Sequence, residues 1–484
     1  MLNKKLLTAA IVAGSAVLTG CGSNSDSDPV VDNSGRTIGT SIDAGTYLGD
    51  AVNASPLTDA STVVDNCAEF GGTLANTVCT LPSRITATGG SLDKDVTYLL
   101  TGMTKLGYGD KELETAGDVS WLKDSENTVS LTIPAGTTIK GQTGSAFVVT
   151  RGAELNAEGS AAAPVTFESE DSDLVGAAEW GGLVIQGFGI SNQCPSTGIC
   201  NISGEGASGN YGGDDNTDSS GSLEYVVVTE GGSVVGVDDE LNGVGFMGVG
   251  SGTTIDYLQV NDNSDDGVEF WGGAVVAKHL VLTANQDDSI DWDHGWVGGI
   301  QYAIVKQTNA AGDHAFETDN DGNSMDNDPR SMPTMANITA ISGGADSAIR
   351  HKEGTAGLFY NVAIVEQGTA ATCIDIDDQA TADQIDTGMI YTNVELACQT
   401  TVKGDDEVSG TDFSQALVDS QVSIINATTD SSVTVDGDYV VTGSTAIASS
   451  PTIANSQITG NTVMGAVEDA ADDWFAGWTI TGSL

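Results

Sequence analysis

From Val129 onward the chain breaks into short runs of aliphatic and β-branched residues divided by Gly, Asn, Asp and Ser. Within the runs apolar and polar positions alternate, as in strands that bury one face. Few segments carry the 3.6-residue period of an amphipathic helix. The runs also repeat. "DDGVEFW" (265–271), "DDSIDWD" (287–293), "DHAFETD" (313–319), "DSAIRHK" (346–352) and "TCIDID" (372–377) align on the apolar anchors Val268, Ile290, Phe316, Ile349 and Ile374. A second series of strands is anchored at Leu258, Leu280, Ala303, Ile338 and Val362, with similar spacing. Two or more short strands per repeat, no helices and a loop of variable length predict an all-β solenoid, a right-handed parallel β-helix. One coil cannot bury its inner face alone, so coils must stack. A β-propeller is the competing architecture, but its blades repeat at about 40–50 residues.

The chain before Val129 reads differently. Residues 1–20 join a basic start (Lys4, Lys5) to an apolar run too short to span a bilayer, the pattern of a secretory signal peptide. Leu18-Thr19-Gly20-Cys21 resembles the bacterial lipobox, which implies lipidation at Cys21 and attachment to a membrane through that lipid. Gly22 and Ser23 follow, with no Asp, which implies outer-membrane sorting. Residues 21–45 are small, polar and unpatterned, a flexible tether. Residues 46–128 are mixed and read as a small N-terminal capping region, with a short helical stretch possible near Ala60–Gly71. Residues 129–465 form the expected β-helix and 466–484 a C-terminal cap, where Trp474 and Trp478 would cover the open edge of the last coil. No later apolar stretch is long enough to span a membrane.

Composition sharpens this picture. The formal net charge is −52. Such a surface repels nucleic acid and favours divalent cations. Six cysteines follow Cys21 and fall as local pairs, Cys67 with Cys79, Cys194 with Cys200 and Cys373 with Cys398. An even number in an exported chain predicts three disulfides.

Four stretches carry a family resemblance. They are "LTIPAGTTIKGQTGSAFVVTRGAELNAEGSAAAPVTFES" (131–169), "WGGLVIQG" (180–187), "GVGSGTTIDYLQVNDNSDDGVEFWGGAVVAKHLV" (248–281) and "DDWFAGWT" (472–479). They resemble a family of exported bacterial β-helix lipoproteins. The resemblance implies fold and export, with the chain on the periplasmic or cell-surface side of an outer membrane. It implies no activity and transfers no functional residue.

Candidate chemistry follows from the alternation. With the first set of anchors inside, the next residues point out: Glu269, Asp291, Glu317, Arg350 and Asp375. Two places further on stand Trp271, Asp293, Asp319, Lys352 and Asp377. Neighbouring coils stack about 4.8 Å apart, so these carboxylates raise one another's pKa unless something compensates. The plain reading is a solvated face with ion pairs between coils. The sharper one is calcium, because hard cations take closely placed carboxylate oxygens. "ETDNDGNSMDND" (317–328) also has the spacing of an EF-type loop, with Glu317, Asp319, Asp321, Gly322 and Asp328 at positions 1, 3, 5, 6 and 12. It departs from that pattern in its Glu at position 1, its Asp at position 12 and its lack of flanking helices.

A weaker motif likeness points to catalysis. "SDDG" (264–267), "NQDD" (285–288), "GDHA" (312–315) and "IRHK" (349–352) fall in the order of the motifs of polygalacturonase-like glycoside hydrolases. That resemblance implies Asp266, Asp287 and Asp288 as the carboxylates of an inverting reaction, with His314 assisting and Arg350 and Lys352 holding an acidic sugar. The first motif lacks its Asn and Thr, Asp313 and Ala315 stand where glycines belong, and His351 replaces an Ile. His351 itself should point inward and pack in the core. The expectation is therefore a cell-envelope lipoprotein whose acidic β-helix binds calcium and a carbohydrate or surface partner. The alternatives are an inverting hydrolase or a lyase of an acidic polysaccharide, and a structural surface spacer.

Overall fold

A computed structural model describes residues 66–484, apart from 172, 236–239, 308–311, 344–346, 368–371, 386, 399, 405–421 and 427–432. The expected signal peptide, lipidation at Cys21 and tether lie outside the described residues.

The chain is a parallel β-helix. One face is an eleven-stranded sheet whose strands stack from Arg84–Ile85 to Thr400–Gly404. Every pairing along it is parallel, including Val268–Trp271 on Ile290–Asp293 and Ile290–Asp293 on Phe316–Thr318. The anchors Val268, Ile290, Phe316, Ile349 and Ile374 stack in register and are fully buried in one continuous core. Leu258, Leu280, Ala303, Ile338 and Val362 do the same on the second sheet.

That second sheet is folded lengthwise. In its long strands Asp256 pairs with Lys278 and Leu258 with Leu280, while Tyr257 and His279 between them are unpaired at φ of 57° and 49°. Tyr225, Tyr302, Asn337, Asn361 and Asn393 occupy the same place in their coils, all at positive φ. A left-handed residue turns the strand, so each of these coils has three straight stretches. Asn takes this conformation more cheaply than most residues. Asn393 also donates its side-chain amide to Asn361 Oδ1 at 3.0 Å, which links successive coils along the corner.

Two expectations are corrected. Parallel pairing begins well before Val129: Val78–Thr80 lies on Thr97–Leu100, which lies on Thr138–Gly141. Residues 73–128, expected as a cap, therefore supply coils of their own. Their strands are only two to four residues long, too short for an alternation to register. The helix Ala116–Leu122 interrupts them, started by a capping box between Thr115 and Asp118.

Trp474 and Trp478, in turn, do not cover the last coil. The C-terminal segment folds back along the outside of the solenoid. Ile480 N–H donates to Gln259 Oε1, Thr459 N–H to Gln301 Oε1 and Ala466 N–H to Thr339 Oγ1. Beneath it Tyr225, Tyr257, His279 and Tyr302 stack face to face at centroid spacings of 4.2, 4.4 and 5.0 Å. Trp478 meets Tyr225 and Tyr257 edge-on, and Trp474 meets Tyr257 and His279. An aromatic stripe on the outer wall is a large apolar surface, and the tryptophans remove it from water. The three expected disulfides are present, Cys67–Cys79, Cys194–Cys200 and Cys373–Cys398.

Candidate functional site

Register makes the site. The outward positions of the eleven-stranded face form one column, Gly245, Glu269, Asp291, Glu317, Arg350, Asp375 and Lys403. The two ends of this column differ in chemistry.

The downstream end is an ion-pair network. Arg350 donates to Asp377 at 2.6 Å and to Glu317 at 3.2 Å. Lys352 reaches Glu317 at 2.8 Å and Asp319 at 3.2 Å, and Lys403 reaches Asp375 at 2.7 Å. Arg350 and Lys352 are thus spent on neighbouring coils.

Upstream, the acids are buried without such partners. Asp266, Glu269 and Asp291 are only 7–8% exposed, and none forms an ion pair among the described residues. The cover comes from residues 205–211, which lie across this face. Asn242 Nδ2 donates to Glu269 Oε2 at 2.7 Å and to Glu205 Oε2 at 3.3 Å, and Asn242 Oδ1 accepts from Asp266 N–H. Tyr211 packs with Trp271 and Met247 in a small outer cluster. Trp271 points outward as expected, but it lies beneath this cover rather than open to a sugar. Its ring sits over Gly245, where a Cβ would stand 3.1 Å from it.

One oxygen each from Asp266, Glu269 and Asp291 lie within 4.8 Å of one another, and so do oxygens from Asp291, Glu317 and Asp319. Asp291 belongs to both groups, and its Oδ1 has no hydrogen-bond partner; nor does Asp319 Oδ1. Burial, followed by the charge of neighbouring carboxylates, pushes Asp266, Glu269, Asp291 and Asp319 well above the usual carboxylate range. Lys352 opposes this at Asp291 and Asp319 but does not cancel it. A third group, Asp265, Asp266 and Asp287, lies at the rim, where Asp287 is exposed and Asp265 is raised to about 6 by burial and by Asp287.

The remaining expected residues are placed as follows. Burial raises Asp293 to about 7, and its Oδ2 stands 3.0 Å from Nε2 of His294, whose pKa burial lowers to about 4. The contact therefore joins two groups that are neutral in mildly acidic solution. The EF-type ring does not close. Glu317 and Asp319 join Asp291, whereas Asp321 accepts from Asn323 N–H and the Asn327 amide within its own loop, and Asp328 is exposed. Among the described residues no group of three ligand oxygens includes Asp293, Asp321 or Asp328. Without flanking helices, the loop follows the turn preferences of its Asp and Asn side chains.

Three motif residues of the hydrolase reading, Asp266, Asp288 and His314, are linked coil to coil as a ladder of hydrogen bonds. Asp266 Oδ1 accepts from Asp288 N–H at 2.9 Å, and Asp288 Oδ1 accepts from His314 N–H at 2.6 Å. His314 is buried, with Nδ1 bonded to Ser347 O at 2.7 Å. His351 packs inside as expected, between Thr318 Oγ1 and the Tyr391 hydroxyl. Sequence reasoning did not single out Glu205, Tyr211, Asn242 or Asp265. The first two reach the site across a tertiary contact that no periodicity reports, although their place just after the Cys194–Cys200 pair marks a closed loop. Asp265 was legible as half of an Asp-Asp pair.

The family's model, described as a pectate-lyase-like β-helix domain, matches residues 123–479, and the chain belongs to that family. The crystal structure of the Dettilon tailspike protein is similar at 12% identity and a TM-score of 0.17. That match covers 68% of this chain and 56% of the tailspike chain, so this chain spans little more than half of its length. No curated protein matches the sequence.

Proposed function

We propose that this chain is a cell-envelope protein whose carboxylate face binds calcium and, through it, an acidic carbohydrate or a surface partner. The observation that carries the reading is Asp291. Its buried, unpartnered Oδ1 belongs to a carboxylate shared between two groups of three. Oxygens within 4.8 Å of one another can share one calcium ion at Ca–O distances of about 2.3–2.6 Å. The rim group reaches solvent through Asp287, so an ion there keeps a side open to a uronate. A polyanion would otherwise be repelled by a chain of net charge −52. Membership of a pectate-lyase-like family supports a role toward polysaccharide. Attachment through a lipid on Cys21 belongs to the same proposal, and replacing Cys21 with Ser should abolish incorporation of labelled fatty acid.

The test is calorimetry on chelator-treated protein. Calcium should bind and raise the melting temperature, and Asp291→Asn should remove that response at the face. Binding to polygalacturonate should then depend on calcium and be lost in the same variant. No calcium heat and no thermal shift in the parent protein would sink the reading.

Hydrolysis or elimination is the second reading, favoured by the raised Asp265 beside the exposed Asp287. The carboxylate oxygens of this group are closer than the roughly 6.5–9.5 Å that admits an attacking water in an inverting glycosidase. Reducing-sugar release lost in Asp265→Asn would favour this reading over simple binding.

A further inference from the structure

A second cluster of acids stands apart from the carboxylate face, at the corner where the strand Gly221–Thr229 ends. Glu230 follows that strand directly. It is fully buried, and it takes a left-handed φ of 64°. Thr229, Asn261, Thr283 and Lys306 stack in register, so Glu230 occupies the same turn position as Asp262 and Ala284 in the next coils. There the Glu230 side chain turns toward the connection that leads from Val165–Ser169 to Leu183–Gln186. Its Oε2 accepts from Ser169 N–H at 2.9 Å. Its Oε1 has no hydrogen-bond partner.

Two acids of that connection meet it. Asp171 is exposed and oriented by its Oδ1, which accepts from Ser169 Oγ at 2.9 Å and Asp173 N–H at 3.2 Å. Glu179 is tied to the same corner by its backbone, whose N–H donates to Glu230 O at 3.0 Å. Its side chain folds against Gly176, where a Cβ would stand 2.5 Å from Glu179 Oε1. Gly176 is held in turn by Asp262 Oδ2, which accepts its N–H at 2.9 Å. One oxygen each from Asp171, Glu179 and Glu230 lie within 4.8 Å of one another. None of the three forms an ion pair among the described residues, and the nearby Lys140 pairs with Glu168 at 2.9 Å.

A fully buried carboxylate with an unbonded oxygen, facing two more carboxylates, is costly in the absence of a counter-ion. We infer that Asp171, Glu179 and Glu230 form a divalent-cation site of the calcium type, which clamps the 173–179 segment onto the wall of the solenoid. The donor set is all oxygen and gathers three carboxylates, which suits a hard divalent cation such as calcium. Exposure of Asp171 supplies an entry path and leaves ligand positions to water. Burial of Glu230 supplies the selectivity of a preformed site. This site is independent of the carboxylate face, since the two share no residue.

The experiment uses the full chain after removal of metal with a chelator. Calcium alone should protect the 173–179 segment from limited proteolysis, and soaking crystals with a lanthanide should give an anomalous peak among the three carboxylates. Asp171→Asn, at an exposed position that leaves the core intact, should lose one bound ion per chain and the proteolytic protection. Glu230→Gln should do the same, while Asp291→Asn should leave that protection unchanged. If Asp171→Asn and Glu230→Gln keep both the ion count and the protection, or if the peak is absent, the site is not a cation site and Glu230 instead carries a proton.

Discussion

At the scale of single residues, protonation and cation binding compete for the same oxygens. Asp293 is raised to about 7, and Asp265 and Asp218 to about 6, mainly by burial. The folded state holds these protons more tightly than the unfolded chain. Their contribution to stability is therefore complete below the unfolded value near 3.8 and is lost as pH rises through 6 to 7. His294 and His351, lowered by burial to about 4 and about 3, act in the opposite sense. Their contribution is full above the unfolded value of 6.5 and is lost as pH falls toward those values. In chelator, those three carboxylates, together with the raised Asp266, Glu269, Asp291 and Asp319, outnumber the two histidines, so the melting temperature should decline as pH rises from about 5 toward 8. Calcium should cancel the alkaline decline, because its ligands must be deprotonated. A melting temperature in chelator that climbs steadily from pH 6 to pH 8 would contradict this balance. Lys352 offers a second test. It is the internal counter-ion of Glu317 and Asp319, and it also lowers Asp291. Lys352→Gln should destabilise the calcium-free protein by about 1–3 kcal/mol, less than for a fully buried pair because the lysine is partly exposed. It should also tighten calcium binding at the face, as read by calorimetry.

At the scale of elements, stacking carries both the fold and the site. The same register that aligns Val268, Ile290 and Phe316 inside aligns Glu269, Asp291 and Glu317 outside. The acid column is therefore an unavoidable consequence of coil stacking, and what covers it decides its chemistry. The outer wall tells a similar story through its aromatic stack and the C-terminal strap. Trp478 is 3% exposed and closes over Tyr225 and Tyr257. Trp478→Ala should cost about 3–5 kcal/mol in the docking of the strap. The measurable outcome is selective proteolysis of the last residues and a change in the near-ultraviolet circular dichroism of the tyrosines, with the parallel ladder intact. The anchors and the outward columns were legible in the sequence because their two-residue alternation survives variable loops. The strap was not, since the sequence of 466–484 has no repeat to align and finds its place only against a stack built from four separate coils.

At the scale of the whole molecule, a net charge of −52 on an elongated solenoid produces self-repulsion that no single pair relieves. Raising sodium chloride from about 10 mM to about 0.5 M should increase the melting temperature by screening, as the Debye length falls from about 30 Å to about 4 Å. Millimolar calcium should increase it further at matched ionic strength, whereas an equal concentration of magnesium should not; scanning fluorimetry separates the two effects. By itself the sequence determined the parallel β-helix, the inward and outward assignment of the central coils and the pairing of the cysteines, because these rest on local alternation and short separations. It also named Glu269, Asp291, Glu317 and Asp319, since register can be counted. Only the tertiary structure decided which of the acids meet. Asp328 and Asp321 are near Glu317 in sequence yet are used by their own turn, while Asp266 and Asp291 converge from adjacent coils beneath a segment near residue 205. Glu230 meets Asp171 across some 60 residues for the same reason. Local chemistry sets the conformation of each coil, but the burial that makes a carboxylate a ligand is created by chain returning from elsewhere.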